Sequence, residues 1–360
     1  MRITKEIAMP LVQWYQGNKR DLPWRHTADP YKIWVSEIML QQTRVEAVRG
    51  YYDRFLSVLP DVASLAACEE DRLLKLWEGL GYYNRVRNMQ KAARQIQQEE
   101  QGRFPENAAE IQKLPGIGSY TAGAVASIAF GERVPAVDGN VLRVYARLLA
   151  LEDNILLPRV KKEAEEAFRE VMKDLQEPEI YAGDFNQALI ELGALVCVPD
   201  RAPHCDSCPL QPYCAAYKEE KTGVLPVRIG KQKRRVEKRT VLVVRTGTEA
   251  LIRKRPPKGL LASLYEFPNM EGHVNDAEAV AYVEENGYDA LRIQRLPEAK
   301  HVFSHVEWQM IGYEIRIAPP DEDRGAWICA DLKEIEKTYS IPSAFSAYTD
   351  KLLIRKEESS

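Results

Sequence analysis

Long apolar segments are missing from this sequence of 360 residues. No run of about eighteen apolar residues occurs, so we expect no membrane-spanning helix. The N-terminal segment MRITKEIAMPLVQWYQ is too polar for a secretory signal peptide, and we expect a cytoplasmic protein. A strong excess of one charge is also missing, because the formal net charge is −3. Any contact with nucleic acid must therefore come from local basic patches and not from the average charge.

Cysteine is scarce and unevenly placed. Of six cysteines, Cys68 and Cys329 stand alone, and the other four follow the spacing C-x7-C-x2-C-x5-C. Without a secretion signal, clustered thiols favour a metal site over disulfides. Zinc and a [4Fe–4S] cluster are both open, and the single close pair favours the iron–sulfur cluster because zinc sites usually show two close pairs. The predicted ligands are Cys197, Cys205, Cys208 and Cys214.

Strand-like alternation is nearly absent before residue 216 and frequent after residue 240. The length suggests two domains, so we expect an all-α domain followed by an α+β domain. Helices are predicted at 29–41, from Thr43 with a Thr43–Glu46 capping box, and at 71–79, 84–100, 107–113, 120–130, 158–175 and 185–196. Strands are predicted at 240–245, 250–255, 265–268, 308–317 and 326–329, with helices at 275–286 and 343–353.

The polar segment 217–239 has no apolar period, and we expect a linker there. Its basic residues permit two interpretations, a stripe along DNA phosphates or a solvated tether. They are Lys231, Lys233, Arg234, Arg235, Lys238 and Arg239.

The stretch Leu114–Val141 combines a glycine-rich turn, a helix and a carboxylate. Gly116 and Gly118 permit a tight turn before a helix, with Ser119 as its predicted N-cap. Such a turn directs free N–H groups outward, which is typical of a phosphate site. Asp138 then precedes an apolar-periodic run. Taken alone, the stretch favours an ordinary helical hairpin in which Asp138 is an N-cap.

Several motifs together resemble a known family. LPGIGSYTAGAV, VDGNV and the four-cysteine loop resemble the helix-hairpin-helix DNA glycosylases of the endonuclease III superfamily. SEIMLQQTRVEAV, WEGLGYYNR and FNQALIELGALVC narrow the resemblance to the adenine DNA glycosylases, the MutY family. The resemblance implies a catalytic domain over 1–216, with its hairpin near 107–131 and a [4Fe–4S] loop at 197–214. One departure is the first cysteine gap, which is x7 here and usually x6 in the family.

The family's chemistry needs an acid for the leaving base and a carboxylate for the cationic sugar. Taken alone, the sequence pattern favours Glu37 as a surface glutamate, but the resemblance implies that it is the general acid that protonates adenine N7. It implies that Asp138 stabilises the sugar, supported by Tyr120 and Asn140. Related enzymes that also cut the backbone carry a lysine where this chain has Tyr120. Since a phenol cannot form an imine, the resemblance implies a monofunctional enzyme.

A base in a duplex must be flipped before it can be excised. The resemblance implies that Gln42 and Tyr82 intercalate, with Leu40 also facing DNA, and that Arg25 and Gln187 contact adenine. Core packing is the alternative for Tyr82, because one member of the pair Tyr82–Tyr83 must be buried.

The part after residue 240 resembles a Nudix fold, the C-terminal domain of this family. The stretch DAEAVAYVEENG lacks the glutamate cluster that a Nudix hydrolase uses for magnesium, so we expect a binding module over 240–360. Phe303, Ser304 and His305 match the family's reader of 8-oxoguanine, although the tripeptide alone favours a simple β-turn.

We therefore expect a monomeric adenine DNA glycosylase acting on duplexes that hold A opposite 8-oxoguanine or G, located at the nucleoid if the source is bacterial. Two alternatives stay open. They are a non-catalytic DNA-binding relative and a bifunctional pyrimidine-damage glycosylase.

Overall fold

The structure is a computed structural model, and its chain divides into two units. The first comprises Met1–Cys68 and Asn84–Gly230, and the second comprises Glu69–Tyr83 and Lys231–Ser360. No helix within the described part of the chain is both long and apolar enough for a bilayer. The described residues are 3–175, 180–199, 202–230, 234–320 and 327–349.

Helices build the first unit, with one further helix, α5, contributed to the second. A buried cluster of apolar side chains from the first, ninth, tenth and eleventh helices forms a core that includes Leu11, Val144, Phe168 and Phe185. The helices are α1 (Ala8–Asn18), α2 (Pro30–Leu40), α3 (Val45–Val58), α4 (Val62–Ala67), α5 (Glu70–Leu76), α6 (Asn84–Glu99), α7 (Ala108–Ile111), α8 (Ser119–Phe130), α9 (Gly139–Leu148), α10 (Pro158–Lys173), α11 (Ala182–Leu195) and α12 (Ala215–Lys218).

Capping explains where α2 begins, and α3 is present as predicted but without its predicted cap. The Asp29 carboxylate accepts from the Tyr31 N–H, and Pro30 occupies the first helical position, as the sequence predicts. The Thr43–Glu46 capping box does not form. Instead, α3 has Arg44 at its N-cap without a side-chain bond, and the Thr43 hydroxyl donates to the Gln41 carbonyl. The chain has already turned at Gln42, where φ is 59°, so Thr43 lies before the helix entry.

The predicted hairpin is present, with its cap displaced by one residue. Gly118 is the N-cap of α8, and Ser119 is the first helical residue. Gly116 has φ of 78°, and a Cβ there would lie 2.6 Å from the Asn88 Cβ. Both the backbone conformation and the limited space therefore require glycine at this turn. Gly131, in the left-handed region, ends α8 as predicted.

A twisted sheet with buried clusters on both faces organises the second unit. The strand order is β3-β2-β1-β6-β5, in which β1 and β6 are parallel, while β4 pairs with β1 and β7 with β2. The strands are β1 (Arg235–Thr246), β2 (Glu249–Lys254), β3 (Tyr265–Glu266), β4 (Asn269–Glu271), β5 (Ala290–Val302), β6 (Val306–Ile317) and β7 (Ile328–Asp331), and the helices are α13 (Asp276–Glu285) and α14 (Leu332–Thr338).

Two strands, β4 and β5, are absent from the predicted set. The long β5 carries many charged residues and a bulge between Leu296 and Ala299 at Pro297, and these features hide its alternation. The strand β1 begins at Arg235, inside the segment expected to be a linker. Arg239 lies on that strand with its guanidinium 4.5 Å from the Trp308 ring centroid, so it packs against the sheet. Lys231 and Lys233 lie outside the described residues, as do the last positions of the helix predicted at 343–353, where helical structure is described through residue 349.

The helix α5 belongs to the second unit by its contacts. Asp71 on α5 accepts from the Tyr265 hydroxyl at 2.8 Å and pairs with Lys254. Lys75 donates to the Tyr339 carbonyl at 2.9 Å, and the Glu78 carboxylate accepts from the Ile341 N–H at 2.8 Å. A segment from the first quarter of the sequence is therefore bonded to strands and turns formed by its last third.

Candidate active site

Glu37 is a buried carboxyl group on α2. Only 7% of the residue is exposed, and the Tyr120 hydroxyl donates to its Oε2 at 2.6 Å. Burial raises the pKa of Glu37 to about 7, with the Asp138 charge acting in the same direction, while the Tyr120 bond and Arg25 oppose the rise. Glu37 is thus a carboxyl group that holds its proton near neutral pH.

Asp138 caps α9 and faces the same site. Its Oδ1 accepts from the Val141 N–H at 2.8 Å, and its Oδ2 accepts from the Asn140 side-chain amide at 2.8 Å. Burial raises the pKa of Asp138, and the bonds from Val141 and Asn140 oppose that rise. The N-cap interpretation and the active-site interpretation are both satisfied, because one oxygen caps the helix while the other faces Asn140.

Tyr120 completes the group of acids. Burial and the nearby Glu37 and Asp138 carboxylates raise the pKa of Tyr120 well above its usual value. The phenol therefore stays protonated, and in this arrangement it is a hydrogen-bond donor.

Arg143 connects this site to the cysteine loop. Its guanidinium donates to Asn140 Oδ1 at 2.9 Å, to the Gly193 carbonyl at 2.7 Å and to the Cys197 carbonyl at 2.7 Å. Gly193 permits this approach, since a Cβ there would lie 2.7 Å from the Asn140 Cβ. A continuous chain of hydrogen bonds therefore runs from Asp138 through Asn140 and Arg143 to Cys197.

Arg25 and Gln187 lie in the same unit as Glu37, and each has a protein partner. Arg25 pairs with Glu191 at 2.8 Å, and Gln187 accepts from the Tyr15 hydroxyl at 3.1 Å. Glu191 and Arg20, which also pairs with Glu191, were not predicted from the sequence. The available signal was an acidic residue four positions after Gln187, within the mostly apolar second half of α11.

The residues predicted to enter DNA differ in their exposure to solvent. Gln42 is exposed just after α2, and Leu40 is half-buried at the end of that helix. The Arg85 guanidinium donates to the carbonyls of Ile38 and Gln41, each at 2.6 Å, and so closes the C-terminus of α2.

In the second unit, Tyr82 is 50% exposed and Tyr83 is 7% exposed. The tyrosine pair therefore divides as predicted, one side chain to solvent and one to the interior. Tyr82 also has φ of 47°, a strained conformation for a bulky residue.

The turn before α8 is open for a ligand at its backbone but not at its serine. The Ser119 hydroxyl donates to Glu165 at 2.8 Å and accepts from the Lys161 ammonium at 3.0 Å. A Cβ at Gly118 would meet nothing within 4 Å, so the approach to the backbone there is clear. The free N–H groups and the positive end of the helix dipole favour an anion at this position.

The four clustered cysteines are free thiols that lie close enough to affect one another. Burial, together with the neighbouring cysteines, raises the pKa of Cys205 and Cys214 and raises that of Cys208 to about 12. Arg147 donates to Cys197 Sγ at 3.2 Å. Within the described ranges, no three His, Cys, Asp or Glu side chains are already arranged around a metal position.

Phe303, Ser304 and His305 form the turn between β5 and β6, as the tripeptide predicts. The Phe303 ring packs edge-on against Trp308, with centroids 4.9 Å apart. Ser304 is exposed, and its hydroxyl lies 3.1 Å from that of Tyr82. The turn therefore exposes the Ser304 hydroxyl, while the packing of Phe303 against Trp308 holds the turn in place.

Characterised proteins of DNA repair are similar to this chain. A profile of the HhH-GPD superfamily base excision DNA repair proteins matches residues 35–173, and a NUDIX domain profile matches residues 240–351. A solved thermostable thymine-DNA glycosylase is 30% identical with a TM-score of 0.54, over 60% of this chain and 96% of that one.

Two curated relatives extend the likeness over both units. The adenine DNA glycosylase of Arabidopsis thaliana is 39% identical over 74% of this chain, which spans only 48% of that relative's length. The adenine DNA glycosylase of Mus musculus is 36% identical over 91% of this chain and 77% of its own length. With an acid and a carboxylate meeting beside a helical hairpin, the chain belongs to the adenine DNA glycosylases of base-excision repair.

Proposed function

We propose that this protein hydrolyses the N-glycosidic bond of adenine paired with 8-oxoguanine or guanine in duplex DNA, without cutting the backbone. The observation that carries the proposal is the meeting of Glu37, Tyr120 and Asp138. One carboxyl group there has a pKa near neutrality, and the other accepts two hydrogen bonds that favour its ionised form against the effect of burial. Glycosidic cleavage needs this division of roles between two carboxyl groups.

In the proposed reaction, Glu37 donates its proton to N7 of the flipped adenine. The protonated base leaves with the electron pair of the glycosidic bond, and positive charge develops on the sugar. Asp138 faces that charge as an ionised group, oriented by Asn140 and by the α9 backbone. Glu37, now ionised, accepts a proton from the water that adds to the sugar carbon.

Tyr120 supports the monofunctional assignment. An imine with the sugar requires an amine, and the residue that contacts Glu37 is a phenol kept protonated by its surroundings. The donated bond at 2.6 Å gives the phenol a different role, which is to orient the Glu37 carboxyl group.

We propose a [4Fe–4S] cluster on Cys197, Cys205, Cys208 and Cys214. Thiols whose pKa is raised by burial and by one another need a metal charge to ionise, so the donor set suits a cluster. When bound, the cluster would join the four thiolates and fix their loop. The Arg143 chain of hydrogen bonds then links that loop to Asp138.

The second unit would read the base opposite adenine. A hydroxyl group both donates and accepts, so Ser304 can address the C8 carbonyl and the N7 proton that distinguish 8-oxoguanine from guanine.

Three duplexes test the proposed function, holding A opposite 8-oxoguanine, G or T, each with the labelled strand carrying A. Single-turnover excision should be fastest for the 8-oxoguanine duplex, slower for the G duplex and undetectable for the T duplex. Strand scission should appear only after alkaline treatment, and borohydride should trap no covalent complex. Equal excision from all three duplexes, or efficient trapping, would contradict the proposal.

A further inference from the structure

A buried ion-pair cluster lies in the first unit, formed by Arg20, Arg25 and Glu191. Glu191 lies on α11 and is fully buried. Its two oxygens accept hydrogen bonds of 2.7 to 2.9 Å from the Arg20 backbone N–H and from both guanidinium groups. Burial would raise the pKa of Glu191, but the bonds from Arg20 and Arg25 outweigh it and lower the pKa to about 2. The cluster therefore holds two positive charges and one negative charge.

The bonds also fix the orientation of Arg25. Its Nη1 donates to the Arg20 carbonyl at 2.9 Å, and its guanidinium lies 5.4 Å from the Tyr15 ring centroid. The side chain is only 10% exposed and forms part of the short turn that precedes α2. Tyr15 in turn donates to Gln187, one helical turn before Glu191 on α11. Glu191 thus organises the face that carries both residues expected at the adenine.

Within the cluster, the charge of Arg25 acts on Glu37. The charged and titratable groups that act on Glu37 are Tyr120 from α8, Asp138 from the start of α9 and Arg25 from the turn before α2. Arg25 favours the ionised form of Glu37, while burial and Asp138 favour the protonated form. Arginine does not lose its proton in proteins, and Glu191 offsets part of the positive charge of Arg20 and Arg25.

We propose that Glu191 is a positioning residue for adenine excision, which holds Arg25 at the adenine and offsets the positive charge of the two arginines that contact it. The inference rests on the proposed role of Glu37 as that acid. Without the Glu191 charge, the cluster would carry two uncompensated positive charges, and Glu37 would lose its proton at lower pH.

The test uses full-length protein with its cofactor and measures single-turnover excision of A opposite 8-oxoguanine against pH, at saturating enzyme. In Glu191→Gln, the alkaline decline in rate should move to lower pH by about 0.5 unit or more, so that excision near pH 8 falls at least about threefold. The double variant Arg20→Gln with Glu191→Gln restores the parent's net cluster charge and should return the decline toward its parent position. Glu163→Gln on α10, which removes an exposed carboxylate, should leave the profile unchanged.

Arg20→Gln alone keeps the test decisive if Glu191→Gln does not fold. This variant leaves one arginine paired with Glu191, so the alkaline decline in excision rate should move to higher pH. An unchanged alkaline decline in Glu191→Gln, or in Arg20→Gln, would overturn the inference and leave Glu191 a structural residue. A parent profile with no alkaline decline would instead overturn the role of Glu37, so the two failures are distinguishable.

Discussion

Glu37 and Asp138 are both carboxyl groups in one site, and their neighbours make them unequal. Glu37 receives a single hydrogen bond from a neutral phenol, whereas Asp138 receives one bond from a backbone N–H and one from an amide. Burial raises the pKa of both groups, and for Asp138 the bonds from Val141 and Asn140 oppose that rise. Glu37 is thus the candidate proton donor, and the hydrogen bonds to Asp138 favour its ionised form.

Replacing Glu37 by Gln should reduce adenine excision by a factor of at least about 100, because the amide keeps the volume but has no acidic proton. Affinity for the A:8-oxoguanine duplex should stay within about threefold of the parent, since the removed proton is needed only in the reaction. The two quantities are measured by single-turnover excision and by binding to a duplex with a non-hydrolysable adenosine analogue. Excision at more than a few per cent of the parent rate would remove Glu37 from the acid role.

The pH dependence follows from the direction of the two pKa shifts. The protonated form of Glu37 is the active one, so excision at limiting enzyme should decline as pH rises through about 7. The ionised form of Asp138 is the active one and its pKa is raised, so excision should also decline on the acid side, at higher pH than for an ordinary aspartate. A bell-shaped profile is expected over about pH 4 to 9, and a flat alkaline side would contradict the assignment of Glu37.

Parts of this site were predictable because they depend on local sequence. The Asp29 and Asp138 caps, the turn at Gly116 and the end of α8 at Gly131 follow from residue types at fixed offsets. The burial of Glu37 does not, because α2 is apolar on most sides and no period marks which polar residue faces inward. The Thr43 capping box failed for a related reason, since tertiary contacts of the preceding turn decided where α3 begins.

Contacts between residues far apart in the chain could not be predicted from the sequence. The bond between Glu191 and Arg25 joins residues 166 positions apart, and only the packing of the helices brings them together. The strand β5 was missed because its charged residues and bulge obscure the period of two.

At the scale of elements, the close approach of α11 to the start of α9 decides whether Asn140 can hold Asp138. Gly193 lies at the contact, and its carbonyl also accepts from Arg143. The approach leaves no room for a methyl group, because a Cβ would lie 2.7 Å from Asn140 Cβ and 3.1 Å from its backbone carbonyl. Glycine is unfavourable inside a helix, so packing is the physical reason for it here.

Gly193→Ala should therefore lower the free energy of unfolding by about 1–3 kcal/mol and slow excision, because Asn140 must move. The matched control is Gly50→Ala inside α3, where a Cβ would meet nothing within 4 Å. That control should raise the free energy of unfolding by about 0.5–1 kcal/mol, through helix propensity, with unchanged excision. Denaturant unfolding and single-turnover assays measure the two effects, and equal stability changes in both variants would contradict the packing argument.

The cysteine loop, residues 197–214, should determine the iron content of the protein. Purified protein should be yellow-brown and contain about four irons per chain. Cys208→Ser should lower the iron content and the stability together, while Cys329→Ser, at a cysteine far from the loop in sequence, should change neither. Colourless protein with one zinc per chain would favour the alternative metal.

At the scale of the whole molecule, the proposed function places excision and recognition of the opposite base in different units. Ser304 is exposed, and the ring of Phe303 is packed against Trp308, so the hydroxyl can be removed without disturbing the turn. Phe303→Ala would instead remove packing and test stability as much as recognition.

Ser304→Ala should reduce the ratio of excision from A:8-oxoguanine to excision from A:G by about tenfold, the expected cost of one lost hydrogen bond to a base edge. The matched control is Tyr82→Phe, which removes the other hydroxyl of the pair at 3.1 Å and keeps the ring. If the ratio falls equally in both variants, the bond between the two side chains matters more than contact with the base. An unchanged ratio in Ser304→Ala would place the reader elsewhere.

The bonds of α5 have a consequence for how the chain is made. Asp71 and Lys75 emerge from the ribosome early, while their partners Tyr265 and Tyr339 are nearly 200 residues or more behind them. At ordinary synthesis rates of roughly 5–20 residues per second, this segment waits about 10 to 50 seconds for the surface that binds it. A chain released near residue 230 would contain all residues of the helical unit. Its residues 69–83 would lack the strands and turns of the second unit to which they bind. Residues 69–83 can therefore form these bonds only after Tyr265 and Tyr339 have been synthesised.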